Sequence, residues 1–217
     1  MVGLRKNSAL REGWVIFLVL FILWGGLLFY FPWASLLAIV AFAFTIYFFR
    51  DPERLAPGDA TLAVAAADGR IVAVEEMEEP EVLKMRMKRV SIFLSVLDVH
   101  VNRAPVGGRI TASEERKGSY LDARDPRSSE KNAARLWVIE GDLATVAVRQ
   151  ITGAIARRIV PWSRVGDTLR RGEKFGMIRF GSRTEIYLPM DAEILVKEGD
   201  KVKAGETPVA RLKGNTR

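Results

Sequence analysis

The chain has no cysteine and only one histidine. The first absence excludes disulfides and thiol catalysis. The second means that chemistry needing an imidazole near neutral pH must use His100. Charge is missing locally as well: from Trp14 to Phe49 there is no Lys, Arg, Asp or Glu, so all 59 charged residues lie in the other 181 positions. That division describes an apolar membrane-seeking segment attached to a water-soluble body. Zinc-ligand spacing, a recognition-helix pattern and an aromatic-studded basic patch are all lacking, so neither metal nor nucleic acid is expected as a partner. The net charge of +7 and pI near 9.9 then suit contact with anionic lipid headgroups.

The 36-residue uncharged stretch is too long for one span of roughly 20 residues and about right for two short ones. Pro32 falls in its middle, which predicts one helix over about Trp14 to Tyr30 and another over about Trp33 to Phe49, joined at Phe31-Pro32. Trp14, Tyr30, Trp33 and Tyr47 stand near the four ends, where amphipathic rings favour an interface. A buried helical hairpin is the alternative, but neither half carries a polar stripe. A cleaved signal peptide fits poorly, because the run is too long and has no small-residue cleavage site. Arg5, Lys6 and Arg11 precede the hairpin and Arg50 and Arg54 follow it, which places both ends and the body on the cytoplasmic face of the cell membrane. The expected organisation is a transmembrane or re-entrant helical hairpin over 1–50 and a β-rich catalytic domain over 51–217.

The body reads as short β-branched runs punctuated by glycine and proline. Thr61 to Ala66 and Arg70 to Glu75 flank an Ala67-Asp68-Gly69 turn, and Arg89 to Val96, Arg109 to Glu114, Leu136 to Glu140 and Ala144 to Arg149 are further candidate strands. Tyr120 to Asn132, polar and holding Pro126, reads as a mobile loop. The string VGDTLRRGEKF from Val165 is echoed 33 residues later by EGDKVKAGETP from Glu198. Two copies of one turn-and-strand unit predict a mainly β fold, a lipoyl-like barrel-sandwich with a quasi-twofold repeat. A lipoyl or biotinyl carrier needs a modifiable lysine between its halves, and Gly176 to Ile194 contains none. The scaffold remains without the carrier function.

Three places could carry chemistry. His100 lies in SIFLSVLDVHVNRAP, after an apolar run, where a strand is expected to end and a loop to begin; a lone histidine is also a common structural residue. Asp68 sits in an Asp-Gly pair whose plain reading is a hairpin turn. Gly181-Ser182, in RFGSRTEIYLP, is by itself an ordinary loop dipeptide. With no Cβ beside the Gly181 carbonyl, however, the Ser182 hydroxyl can approach that carbon if the backbone is held there and a base takes the proton.

Together with FFRDP from Phe48, these strings resemble the phosphatidylserine decarboxylase family in its short prokaryotic (type A) proenzyme form, and the resemblance covers essentially the whole body. It implies that Asp68, His100 and Ser182 form a self-processing triad, with Asp68 orienting His100 and His100 taking the Ser182 proton. Cleavage at Gly181-Ser182 would give a beta chain, 1–181, and an alpha chain, 182–217, joined as a heterodimer with room for further homo-oligomerisation. Ser182 would become a pyruvoyl group, a self-made covalent cofactor that replaces pyridoxal phosphate, needs no metal, and forms a Schiff base with phosphatidylserine. His100 would then return a proton on the way to phosphatidylethanolamine. Longer members of the family have a second histidine where this chain has Arg103. Arg103 and Asn102 are candidate contacts for the substrate phosphate or carboxylate, although a surface or salt-bridged arginine reads equally well at 103. A membrane-anchored lipoyl-like adaptor without activity, and a decarboxylase of an archaeal-type serine ether lipid, stand as alternatives.

Overall fold

A computed structural model of the chain describes residues 8–154, 158–179 and 181–214. The chain divides into two units, Met1–Glu53 and Arg54–Arg217. Arg5 and Lys6 of the basic flank lie outside the described residues.

The first unit comprises α1 (Ser8–Glu12), α2 (Trp14–Tyr30) and α3 (Pro32–Phe48). The second long helix starts earlier than expected because Pro32 occupies its first position, where a missing N–H is no loss. Gly13 lets the Phe49 ring close against the start of α2, and Phe17 packs edge-on to Phe42 and Phe49 with centroids 6.0 Å apart. Ser35 and Thr45 donate to the carbonyls of Pro32 and Ala41 at 2.6 and 2.8 Å, so their hydroxyls need no water. No residue of α2 is buried, and Phe29, Trp33 and Leu37 stand largely exposed. Each long helix has 17 residues. That is about 25 Å of rise, short of the ~30 Å hydrocarbon core. Among the described residues, no helix is long and apolar enough to cross a membrane. The expectation of spanning helices is corrected to that extent.

The second unit is mainly β. Its elements are β1 (Leu62–Val64), β2 (Gly69–Glu78), β3 (Arg86–Leu94), β4 (Val101–Arg103), β5 (Gly108–Arg116), the short helix α4 (Ser128–Lys131), β6 (Ala134–Glu140), β7 (Thr145–Ile151), β8 (Arg158–Pro161), β9 (Thr168–Leu169), β10 (Lys174–Arg179), β11 (Ser182–Leu188), β12 (Glu193–Ile194), β13 (Lys201–Val202) and β14 (Pro208–Arg211). A curled eight-stranded sheet runs β13-β2-β3-β11-β7-β6-β5-β9, and two three-stranded sheets run β1-β14-β12 and β4-β10-β8. The main core, including Ile92, Trp137, Val148, Phe175, Ile186 and Val209, lies between the large sheet and the small ones. β11 is buried at every residue, because both faces of the central strands are covered.

The repeat seen at Val165 and Glu198 extends through this unit. In the sheet order, β13-β2-β3-β11 is matched in reverse by β9-β5-β6-β7. Gly166 and Gly199 have φ of +96° and +93° and donate to Ile110 and Ile71 at 2.8 and 2.9 Å; Gly172 and Gly205, both at +78°, donate to Ala104 and Ala65 at 2.8 Å. The register of β2 slips between Ile71 and Ala73, and that of β5 between Ile110 and Ala112. Val64 donates to the Pro105 carbonyl and Arg103 to the Ala66 carbonyl, each at 2.9 Å, which makes Val64 the counterpart of Arg103. The row Ile71, Ile92, Thr184 in one half corresponds to Ile110, Ile139, Val146 in the other.

Three local expectations change. Asp68-Gly69 does not close a hairpin, since β1 and β2 belong to different sheets and the pair carries the chain from one to the other. His100 leads directly into a strand, β4, that its flanking polar residues conceal. Residues 120–132 are anchored: Ser128, Ser129 and Asn132 are buried, and the Asn132 side chain accepts the Leu121 N–H at 2.8 Å while donating to the carbonyls of Leu121 and Thr152 at 2.9 and 2.8 Å.

Candidate active site

His100 is fully buried between the end of β3 and the start of β4. The turn before it is tied by Asp98, whose carboxylate accepts the backbone N–H and the hydroxyl of Ser95, both at 2.8 Å. That turn aims the Asp98 carbonyl at His100 Nδ1, 2.9 Å away. A carbonyl only accepts, so Nδ1 carries the proton and Nε2 presents a lone pair. Nε2 accepts the N–H of Gly181 at 3.1 Å. The neutral imidazole therefore faces the peptide unit preceding Gly181-Ser182.

Gly181 has φ of +51°, in the left-handed region that L side chains avoid by about 1 kcal/mol or more. It links β10 in a small sheet to β11 in the large one. Its carbonyl is pressed against Gly153: a Cβ on Gly153 would lie 2.3 Å from the Gly181 oxygen and 3.4 Å from its carbon. Ser182 is fully buried, and its Oγ has no hydrogen-bond partner among the described residues. A hydroxyl buried without a partner is unfavourable by about 1–3 kcal/mol, as expected of a group reserved for a reaction rather than for stability.

Asp68 is not hydrogen-bonded to His100. Its Oδ2 forms an ion pair with Arg54 at 2.7 Å and its Oδ1 accepts the Ala204 N–H at 2.8 Å. Asn102 is fully buried, with its amide nitrogen on the Ala66 carbonyl and Thr184 Oγ1 at 3.2 and 3.1 Å and its oxygen accepting from Gln150 at 2.7 Å. Arg103 is also buried, donating to the Gly172 carbonyl at 3.0 Å with its side chain against Gly205. The structure thus brings His100, Gly181 and Ser182 together, while Asp68, Asn102 and Arg103 brace the surrounding backbone.

A family model described as phosphatidylserine decarboxylase matches residues 41–210. This chain belongs to the phosphatidylserine decarboxylase family. A relative from Symbiobacterium thermophilum, called phosphatidylserine decarboxylase proenzyme, is 44% identical over 98% of this chain and 99% of its own. Relatives bearing that same name from Syntrophus aciditrophicus and Gluconacetobacter diazotrophicus are 43% and 47% identical, over 82% and 83% of this chain and 84% and 82% of theirs.

In this phosphatidylserine decarboxylase family member, several residues of the site's surroundings escape a reading of the sequence. Gln150 and Thr184 turn inward beside Asn102, and their signal was a polar residue at an inward position of an apolar strand. On the outward face of β11, Glu185 accepts from Ser129 at 2.6 Å and from Tyr187 at 2.8 Å. It also lies 3.3 and 3.5 Å from Arg89 and Arg183. Arg149, buried, bonds Tyr187 and pairs with Glu79 at 2.7 Å. Burial, then Glu185, pushes the Tyr187 phenol far above its usual range, so it remains a neutral donor. Burial likewise pulls the Arg183 guanidinium below its ordinary value, opposed by Glu185. The strand that starts at Ser182 is therefore clamped from behind by paired charges.

Proposed function

We propose that this chain is a self-processing, pyruvoyl-dependent decarboxylase that converts phosphatidylserine to phosphatidylethanolamine and CO2 at a membrane surface, as a step of phospholipid biosynthesis. The observation that carries the reading is the His100 Nε2 lone pair on the Gly181 N–H, beside a buried and unpartnered Ser182 hydroxyl. His100 takes the hydroxyl proton while Oγ attacks the Gly181 carbonyl carbon; the Ser182 nitrogen leaves that carbon as an amine, giving an ester. Loss of the Ser182 α-proton expels the Gly181 carboxylate and leaves dehydroalanine. Water then replaces the nitrogen, which departs as ammonia, and a pyruvoyl group caps residues 182–217.

The pyruvoyl carbonyls supply the electron sink that decarboxylation of an α-amino acid requires. The chain's own residues do the rest. His100, already beside this point, is the group suited to return a proton to the product. Asp68, fixed by Arg54 and Ala204, supports the site through the backbone around Ala66 and Ala204 rather than by touching the imidazole. Arg103, held on Gly172, can reach an anionic headgroup only by giving up that bond.

After cleavage the two fragments remain a heterodimer. β11 is hydrogen-bonded between β3 and β7, and every residue in it is buried. The apolar helices place the enzyme at its lipid. Their 17-residue lengths favour a re-entrant hairpin seated in the cytoplasmic leaflet, with the basic residues Arg11 and Arg50 on the anionic headgroup side.

Intact mass under denaturing conditions tests the reading. The wild-type chain of 24.3 kDa should yield a fragment ending at Gly181 and another beginning at a blocked, keto-bearing residue 182. Ser182→Ala should remain whole and inactive; an active, cut Ser182→Ala protein would end the proposal.

A further inference from the structure

We propose, resting on the reading of the site given above, that Asn102 is the hub of a brace between the sheets that positions His100 against Ser182, with Thr184 and Gln150 as its struts. Asn102 is two residues from His100 on the same face of the chain. It bonds Ala66, two residues before Asp68, and Thr184, two residues after Ser182. β4, which carries Asn102, belongs to a small sheet, whereas β11 and β7, which carry Thr184 and Gln150, belong to the large one. The Asn102–Thr184 and Gln150–Asn102 bonds of 3.1 and 2.7 Å therefore span the gap one pleat deeper than the base and the nucleophile. Trp137 completes the series by donating its indole N–H to Gln150 at 2.8 Å.

The quasi-twofold repeat supplies an internal comparison. With Val64 the counterpart of Arg103 and Val146 that of Thr184, Asn102 corresponds to Ala63, Gln150 to Leu188, His100 to Thr61 and Ser182 to Ala144. At the symmetry-related position, which has no nucleophile, the brace residues are replaced by apolar side chains, and Ala63, Val146 and Leu188 are all buried there. Buried amides and hydroxyls are unfavourable unless each finds a partner, and a well-packed apolar residue does the same structural work more safely. The fold itself does not require Asn102, Thr184 and Gln150. Their presence at the one of these two related positions that holds His100 and Ser182 assigns them to positioning.

The symmetry-related position also provides the substitutions for a test. Thr184→Val and Gln150→Leu install residues that the matching backbone already accommodates. The full-length precursor is made by cell-free synthesis in the presence of phospholipid vesicles, and appearance of the 182–217 fragment is timed alongside Ser182→Ala. Both variants should melt within a few degrees of Ser182→Ala yet cleave on the order of 100-fold more slowly than wild type, the scale of a displacement near 1 Å. Thr184→Ser, which restores the acceptor, should recover most of the rate. Ile110→Val, a core change in the opposite half, should cleave at the wild-type rate. Wild-type cleavage in Thr184→Val and Gln150→Leu, with Ser182→Ala uncut, overturns the brace and leaves the self-processing reading intact. Equal slowing in Ile110→Val, or no recovery in Thr184→Ser, also overturns it, because general destabilisation then explains the effect. Cleavage of Ser182→Ala at the same bond removes the self-processing reading and the brace with it.

Discussion

Gly181 donates its N–H to Nε2 of His100 at 3.1 Å, while the other ring nitrogen is held by the Asp98 carbonyl at 2.9 Å. One contact fixes the tautomer and the other brings its lone pair next to the bond to be cut. On the proposed reading the single Nε2 lone pair serves twice in succession, first as acceptor of the Gly181 N–H and then, once that contact is released, as acceptor of the Ser182 proton. His100→Ala should abolish self-cleavage, and His100→Gln, which can keep the Gly181 contact but is no base, should fold and remain uncut. A fragment-formation time course checks this; cleavage of the His100→Gln chain at the wild-type rate would rule His100 out as the base.

Gly153 makes a separate prediction. Its Cα faces the Gly181 carbonyl so closely that a methyl group would lie 2.3 Å from the oxygen. Gly153→Ala must displace the carbonyl under attack, and cleavage should slow by about 10- to 100-fold. The same time course measures it, with thermal unfolding to show that the β unit persists.

The proposed function assigns the covalent chemistry to residue 182. Borohydride reduction of the mature enzyme in the presence of radiolabelled phosphatidylserine should leave label on the 182–217 fragment alone. Label on the fragment ending at Gly181 would place the reactive carbonyl elsewhere.

Behind the site, Arg149 is buried against Glu79, Glu185 and Tyr187. Arg149→Leu leaves the carboxylates without their shared cation and should destabilise the β unit by about 3–5 kcal/mol. Chemical denaturation checks this, and Arg149→Leu combined with Glu79→Gln should lose less than the sum of the two single changes.

Much of the fold was legible because its signals are local. The uncharged run and Pro32 placed α2 and α3 within a residue or two, since apolarity and a missing N–H act on the nearest turns. Strands β2, β3, β5, β6 and β7 followed from β-branched runs, and the two Gly-Asp strings marked the repeat. His100, Gly181 and Ser182 were singled out through the strings that surround them, and the structure brings them together. The Asp68-Gly69 pair misled because a hairpin and a passage between sheets use the same turn residues. Residues 120–132 misled because Asn132 and Ser129 find their partners far along the chain.

The sequence by itself determined that this protein has an apolar helical pair, a repeated β body, one imidazole, and a Gly181-Ser182 pair set in strings that resemble a self-processing family. Those properties depend on residue type and near-neighbour spacing. Tertiary structure alone decided that the Asp98 carbonyl holds the imidazole, that Gly153 closes on the Gly181 carbonyl, and that Asn102 turns inward to Ala66, Thr184 and Gln150. Each of these rests on groups between 28 and 82 positions apart or on a carbonyl direction set by a turn. Folding two sheets together creates those directions and distances.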